Sequence, residues 1–132
     1  MRTFNPLAVL LLLITQTVST QAADLNGAWT IDTASCSKVF TKKNNEIAFK
    51  PDADLNAGGV IIQGNRITGT FQKCTFKSMH NDGSNVKVTA ACSDGVSVSD
   101  VSFDVKFSGE NNITVSSKQP TPVEMMYVRC PL

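Results

Sequence analysis

Residues 74–92 read CTFKSMHNDGSNVKVTAAC, a stretch bounded by Cys74 and Cys92. Two alternating runs, Cys74 to Met79 and Val86 to Cys92, flank His80-Asn81-Asp82-Gly83-Ser84. Alternation with period two marks half-buried strands, and Asp-Gly is a hairpin-turn signal. Folding the chain antiparallel about Asp82–Gly83 brings Cys74 close to Cys92. Cys74 shares a strand face with Phe76, and Cys92 shares one with Val86 and Val88. Both sulfurs then point to one side of the sheet, as a disulfide requires. The chain has four cysteines, so a Cys74–Cys92 bridge leaves Cys36 to pair with Cys130.

The same period extends outward from this hairpin. Trp29 and Ile31, Ile47 and Phe49, Ile67 to Phe71, Val101 to Phe107, and Ile113 and Val115 all alternate with polar neighbours. Turn residues separate them at Asn44-Asn45, Gly64-Asn65, Asn81-Asp82-Gly83, Asp94-Gly95 and Gly109 to Asn112. The apolar phase changes between Val98 and Val101, which predicts a β-bulge near Ser99-Asp100. Lys38 to Asn45 can hold a short helical turn. The expected fold is all-β, with about eight strands in a small antiparallel up-and-down barrel. A β-sandwich is the alternative.

Residues 1–23 are read as a secretory signal peptide. Arg2 supplies a positive charge, Leu7 to Ile14 an apolar run, and Thr15 to Ala23 a small, polar end. The apolar run is shorter than the roughly 20 residues that span a bilayer. One domain over residues 24–132 remains. The whole chain has 12 basic and 11 acidic residues, and loss of Arg2 brings the domain to neutrality. A neutral domain lacks the basic footprint of a nucleic-acid binder and the basic stripe of a membrane-surface helix. Four cysteines in an exported chain imply two disulfides formed in an oxidising compartment, secreted or periplasmic.

Gly27-Ala28-Trp29 holds the chain's one tryptophan. Gly-x-Trp on the first strand of a small barrel resembles the opening of the calycins, which include lipocalins, avidins and small periplasmic barrel inhibitors of proteases. The resemblance implies that Trp29 closes one barrel end beneath a basic residue from the last strand. Arg129, in Met125-Met126-Tyr127-Val128-Arg129-Cys130, is the residue placed for it. In a closed meander the last strand pairs with the first, so the two would meet, with cation–π attraction of roughly 0.5–2 kcal/mol.

No catalytic constellation emerges. The single histidine, His80, sits in the expected turn as a solvated residue, and the cysteine spacings fit no zinc pattern. No enzyme activity, cofactor or metal is expected. Asn112-Ile113-Thr114 is a glycosylation sequon. Met125, Met126 and Tyr127 are expected to fill the core. Lys38, Lys42 and Lys43 surround Phe40 on a connection tethered at Cys36, a candidate contact for an acidic protein partner. Phe40 itself is read as core or as a plug in the barrel mouth. The expected function is a monomeric binding protein, such as an inhibitor of an extracytoplasmic enzyme, acting through loops at a barrel mouth. The alternatives are a carrier of a small apolar ligand inside the barrel and a structural or envelope-associated protein. The interior separates the first two. A cavity of about 300 Å³ or more fits a carrier. A filled interior with an exposed apolar patch fits a protein partner.

Overall fold

The computed structural model describes residues 24–53, 58–119 and 121–132. The expected signal peptide, residues 1–23, lies outside the described residues. The strands in chain order are β1 Gly27–Thr30, β2 Phe40–Lys43, β3 Glu46–Phe49, β4 Val60–Gln63, β5 Arg66–Gly69, β6 Lys73–Asp82, β7 Asn85–Ser93, β8 Val98–Phe107, β9 Asn112–Ser117 and β10 Val123–Arg129. A 3-10 turn, Thr33–Ser35, and a single helical turn α1, Cys36–Val39, lie between β1 and β2.

Eight of these strands form a closed barrel in the order β1-β10-β9-β8-β7-β6-β5-β4. From β4 to β10 each strand pairs antiparallel with the next, and β1 closes the ring between β10 and β4. The molecule is therefore an up-and-down barrel and not a sandwich. Inward residues make its core: Leu25, Trp29, Ile62, Val86, Val88, Ala90, Cys92, Val105 and Ile113 are buried together. The β7 burial pattern alternates strictly from Val86 to Cys92, the signature of a wall with one wet face.

Both disulfides form, Cys74–Cys92 and Cys36–Cys130. The first depends on a bulge. Asp82 pairs with Asn85, so the turn is Gly83–Ser84, with Gly83 at φ +62°. A regular ladder from that turn would set Thr75, not Cys74, opposite Cys92. The register shifts between Phe76 and Ser78, with Lys77 as the extra residue, and Cys74 then faces Cys92. Their Cα atoms are 4.0 Å apart. The bulge expected near Ser99-Asp100 is absent there, since β7 and β8 pair without a shift from Ser93↔Val98 to Asn85↔Lys106. Val96 and Val98 change phase because they point outward and are exposed.

A second apolar layer lies outside the barrel. Ala28 and Ile61 are opposite each other in the β1–β4 ladder, on the face away from Trp29 and Ile62. They pack with Cys36, Val39, Phe40 and Cys130, and with Ile47 and Phe49 from the β2–β3 hairpin. The hairpin is thus a flap on the outer wall rather than part of the barrel. Its two-residue turn places Asn44 at φ +52° and Asn45 at φ +64°, the type I′ geometry that asparagine tolerates. The Cys36–Cys130 bridge pins the flap to the end of β10.

Lys38–Asn45 is consequently no open connection. It runs from α1 into β2, and the helical turn covers Cys36–Val39 instead. Among the described residues, no helix is long and apolar enough to cross a membrane. The two disulfides fit an oxidising, extracytoplasmic setting.

Candidate functional site

Antiparallel alternation sorts the connections to two barrel ends. The start of β1, the β4–β5, β6–β7 and β8–β9 turns and the end of β10 share one end. The exit from β1 and the β5–β6, β7–β8 and β9–β10 turns share the other.

Arg129 shuts the first end. It is the ladder partner of Trp29, so both side chains leave the sheet on the inner face. Its guanidinium carbon lies 4.4 Å from the indole centroid. The same guanidinium donates to the Asn26 carbonyl, to the Asp24 carbonyl at 2.6 Å and to the Glu110 carbonyl at 3.0 Å. The indole N–H donates to the Leu25 carbonyl at 2.9 Å, and the ring meets Phe107 edge-on at 6.5 Å. Trp29 is 1 % exposed. Gly27 makes the arrangement possible. Its φ is +133°, and a Cβ there would sit 3.3 Å from the Arg129 Nη1 and 3.4 Å from its Cγ. The glycine of Gly27-Ala28-Trp29 is thus both a backbone requirement and the space the arginine stem uses.

Above Trp29 the barrel is not filled. A cavity of about 230 Å³ lies between Leu25 and Trp29 at the closed end and Gln72 near the other. Ile67, Phe76, Val101, Phe103, Val115 and Tyr127 contribute to its wall, and no charged residue does. Gln72 is exposed and marks the mouth. Tyr127 is half-buried, its hydroxyl within 3.6 Å of the Met125 sulfur. Burial raises its pKa above the usual value, so the phenol stays a neutral donor.

The connections at this end carry exposed apolar side chains. Phe71, in the β5–β6 turn, is 72 % exposed, and Val96, in the β7–β8 turn, is 96 % exposed. Val98, Val123 and Met126 are also exposed. Met125 and Met126 therefore do not fill the core, and of the Met125-Met126-Tyr127 trio only Tyr127 reaches the cavity wall. Asp94 holds the β7–β8 turn, accepting from the Val96 and Ser97 amides at 2.9 Å each. Those bonds, that from Ser97 foremost, lower its pKa.

The three candidate lysines do not all share one face. Phe40 is 2 % exposed and lies 5.3 Å from Phe49, ring centre to ring centre, inside the outer layer. Of the two readings, core and mouth plug, the structure bears out core. Lys38, Lys42 and Lys43 are exposed, but adjacent strand residues point to opposite faces. Lys42 shares the face of Phe40 and donates to the Leu132 carbonyl at 3.4 Å, whereas Lys43 stands opposite Glu46 on the other face. His80 is exposed and paired with Lys87 within β6–β7, ahead of the turn rather than in it.

The cavity wall was partly visible in sequence, since Val101, Phe103 and Val105 alternate on one face. That they leave space unfilled depends on barrel closure, which alternation does not encode.

Fold and site together define a closed eight-stranded antiparallel barrel with two disulfides, one end sealed by an arginine on a tryptophan and the other open to an apolar cavity. Comparison with protein-family models, with curated proteins and with solved structures finds no match to this chain.

Proposed function

We propose that this is a calycin-like, secreted or periplasmic binding protein that takes a small apolar ligand into the open end of its barrel. The 230 Å³ apolar cavity carries this reading. Ligand sites are largely apolar concavities with a few convergent polar groups. Here the wall is hydrocarbon and aromatic, with Gln72 and Tyr127 as the polar side chains. Its volume falls short of the roughly 300 Å³ expected above of a carrier, so this reading holds only for a ligand smaller than a drug-sized one. Trp29 at the closed end gives the cavity a rigid floor.

The test is native mass spectrometry of protein purified from its own compartment, with solvent extraction of whatever it carries. A defined apolar adduct, displaced by added small hydrophobes, supports the reading. Ligand-free protein that no small hydrophobe perturbs refutes it.

The exposed Phe71 and Val96 beside the mouth favour a second reading, a protein partner or inhibited enzyme that seats on the rim. A Phe71→Ser, Val96→Ser double variant that loses such a partner while keeping its cavity would identify this mode.

A further inference from the structure

We infer that the cavity selects a neutral ligand of about nine non-hydrogen atoms, a compact apolar body with one hydrogen-bonding head, bound with the body against Trp29 and the head at Gln72 and Tyr127. This rests on the small-ligand reading above and adds size, polarity and orientation to it.

Size follows from volume. An apolar cavity of about 150 Å³ takes one benzene ring, so 230 Å³ scales to roughly nine carbon-sized atoms. Closure fixes that limit at one end. Trp29 is held by Arg129, and Arg129 is tied to the carbonyls of Asp24, Asn26 and Glu110, so the floor cannot recede without breaking this set of contacts.

Polarity follows from the lining. No cation or carboxylate reaches the wall to pair a buried charge, and an unpaired charge in an apolar site is strongly penalised. The deep part, Leu25, Trp29, Ile62 and Ile113, offers no side-chain hydrogen bond, because the indole N–H is already given to the Leu25 carbonyl.

Orientation follows from where the polar atoms lie. Gln72 brings an amide donor and acceptor at the exposed end. Tyr127 stands opposite Ile113 in the ladder, but its hydroxyl reaches toward the mouth to the Met125 sulfur at 3.6 Å, a weak acceptor that a ligand oxygen would replace. A ligand entering head-last therefore leaves none of its polar atoms unpaired.

The full mature protein can be titrated with 1-alkanols of increasing length. Trp29 serves as a built-in reporter, since it is the chain's one tryptophan and lines the cavity, and calorimetry provides a second readout. Each added methylene should raise affinity about fourfold while the cavity fills. The rise should stop near 1-octanol, and 1-dodecanol should bind no more tightly. Octanoate should bind more weakly than 1-octanol. Gln72→Leu and Tyr127→Phe should each lower octanol affinity about three- to tenfold, one hydrogen bond's worth. Affinity that keeps climbing to 1-dodecanol, octanoate binding as well as octanol, or indifference to both substitutions overturns the inference while leaving a ligand site in place. Silence of both readouts to every alkanol overturns the underlying reading instead.

Discussion

Arg129 and Trp29 are ladder partners across the seam where the barrel closes, and the arginine's guanidinium lies on the tryptophan's indole at 4.4 Å. Pairing and stacking in the same two residues tie β1 to β10 at a point where the ladder is short. It holds only Trp29↔Arg129 and Thr30↔Val128. One planar side chain also gathers three backbone carbonyls, two from the segment before β1 and one from the β8–β9 turn. Lysine has a charge but no fork and cannot reproduce that set. Arg129→Ala is expected to lower stability by about 1–3 kcal/mol, and Arg129→Lys to recover less than half of the loss. Urea unfolding measures both. Equal stability of the lysine variant and the parent would show that charge alone matters.

Trp29→Ala removes a buried aromatic and its indole bond to Leu25, and should cost about 3–5 kcal/mol. Trp29 emission in the parent should be blue-shifted and poorly quenched by iodide. Gly27→Ala should cost about 1–3 kcal/mol, because it combines a positive φ with crowding of Arg129. A neutral Gly27→Ala result would mean that neither the backbone nor the arginine stem constrains this position.

The two disulfides should differ in weight. In the loop-entropy description, a separation of 18 residues is worth about 3 kcal/mol and one of 94 about 4.6 kcal/mol. Replacing Cys36 and Cys130 by alanine should also free the β2–β3 flap, exposing Phe40 and Ile61 to solvent. Proteolysis within residues 40–49, ahead of any cut in the barrel, would report that release.

Deletion of Lys77 makes an unusual forecast. Removing the extra residue of the bulge leaves Ser78 opposite Thr89 and Phe76 opposite Ala90 as consecutive pairs. Cys74 therefore stays opposite Cys92, and the bridge should still form. What disappears is the exposed Lys77–Asp100 ion pair at 2.7 Å, worth about 0–1 kcal/mol at such a site. Free thiols in the deletion variant would refute this account of the register.

Acid should loosen the β7–β8 turn before it unfolds the barrel. Hydrogen bonds from Ser97 and Val96 lower the native pKa of Asp94. Their contribution is therefore intact above the ordinary aspartate range and is lost as pH falls through the lowered native value. The amide resonances of Val96 and Ser97 should move together at that pH, and Asp94→Ala should show the loosened turn at neutral pH. Burial acts in the opposite sense on Tyr127. Its raised pKa gives a contribution that is complete below 10.0 and is lost above it, and Tyr127→Phe should remove that alkaline limb.

Much of the barrel was legible because strand alternation is a local property. The Val86-to-Cys92 run and the Asp82-Gly83 signal were enough to join Cys74 to Cys92, even though the turn lies at Gly83–Ser84 and the register needs a bulge. The outer flap was not legible. Ile47 and Phe49 alternate like any barrel strand, and only their packing on Ala28 and Ile61 shows that they cover the wall from outside. The lysines around Phe40 looked like one surface because neighbours in sequence were treated as neighbours in space. The strand pleat separates Lys42 from Lys43. Whether the barrel was empty or filled stayed open for a related reason: each lining residue is an ordinary inward apolar side chain, and emptiness belongs to the closed set.

The Cys36–Cys130 bridge also sets how the molecule bears tension. A pull applied between Asp24 and Leu132 passes along the chain to Cys36, crosses the bridge and leaves through Cys130. Only the segment ahead of Cys36 can be drawn out, about 40 Å of chain when fully extended. Strand β1 would peel away, taking the floor of the cavity with it, while β4 to β9 carry no load. Under force the oxidised protein should give one short extension that empties the barrel. The reduced protein should lengthen by several hundred ångströms.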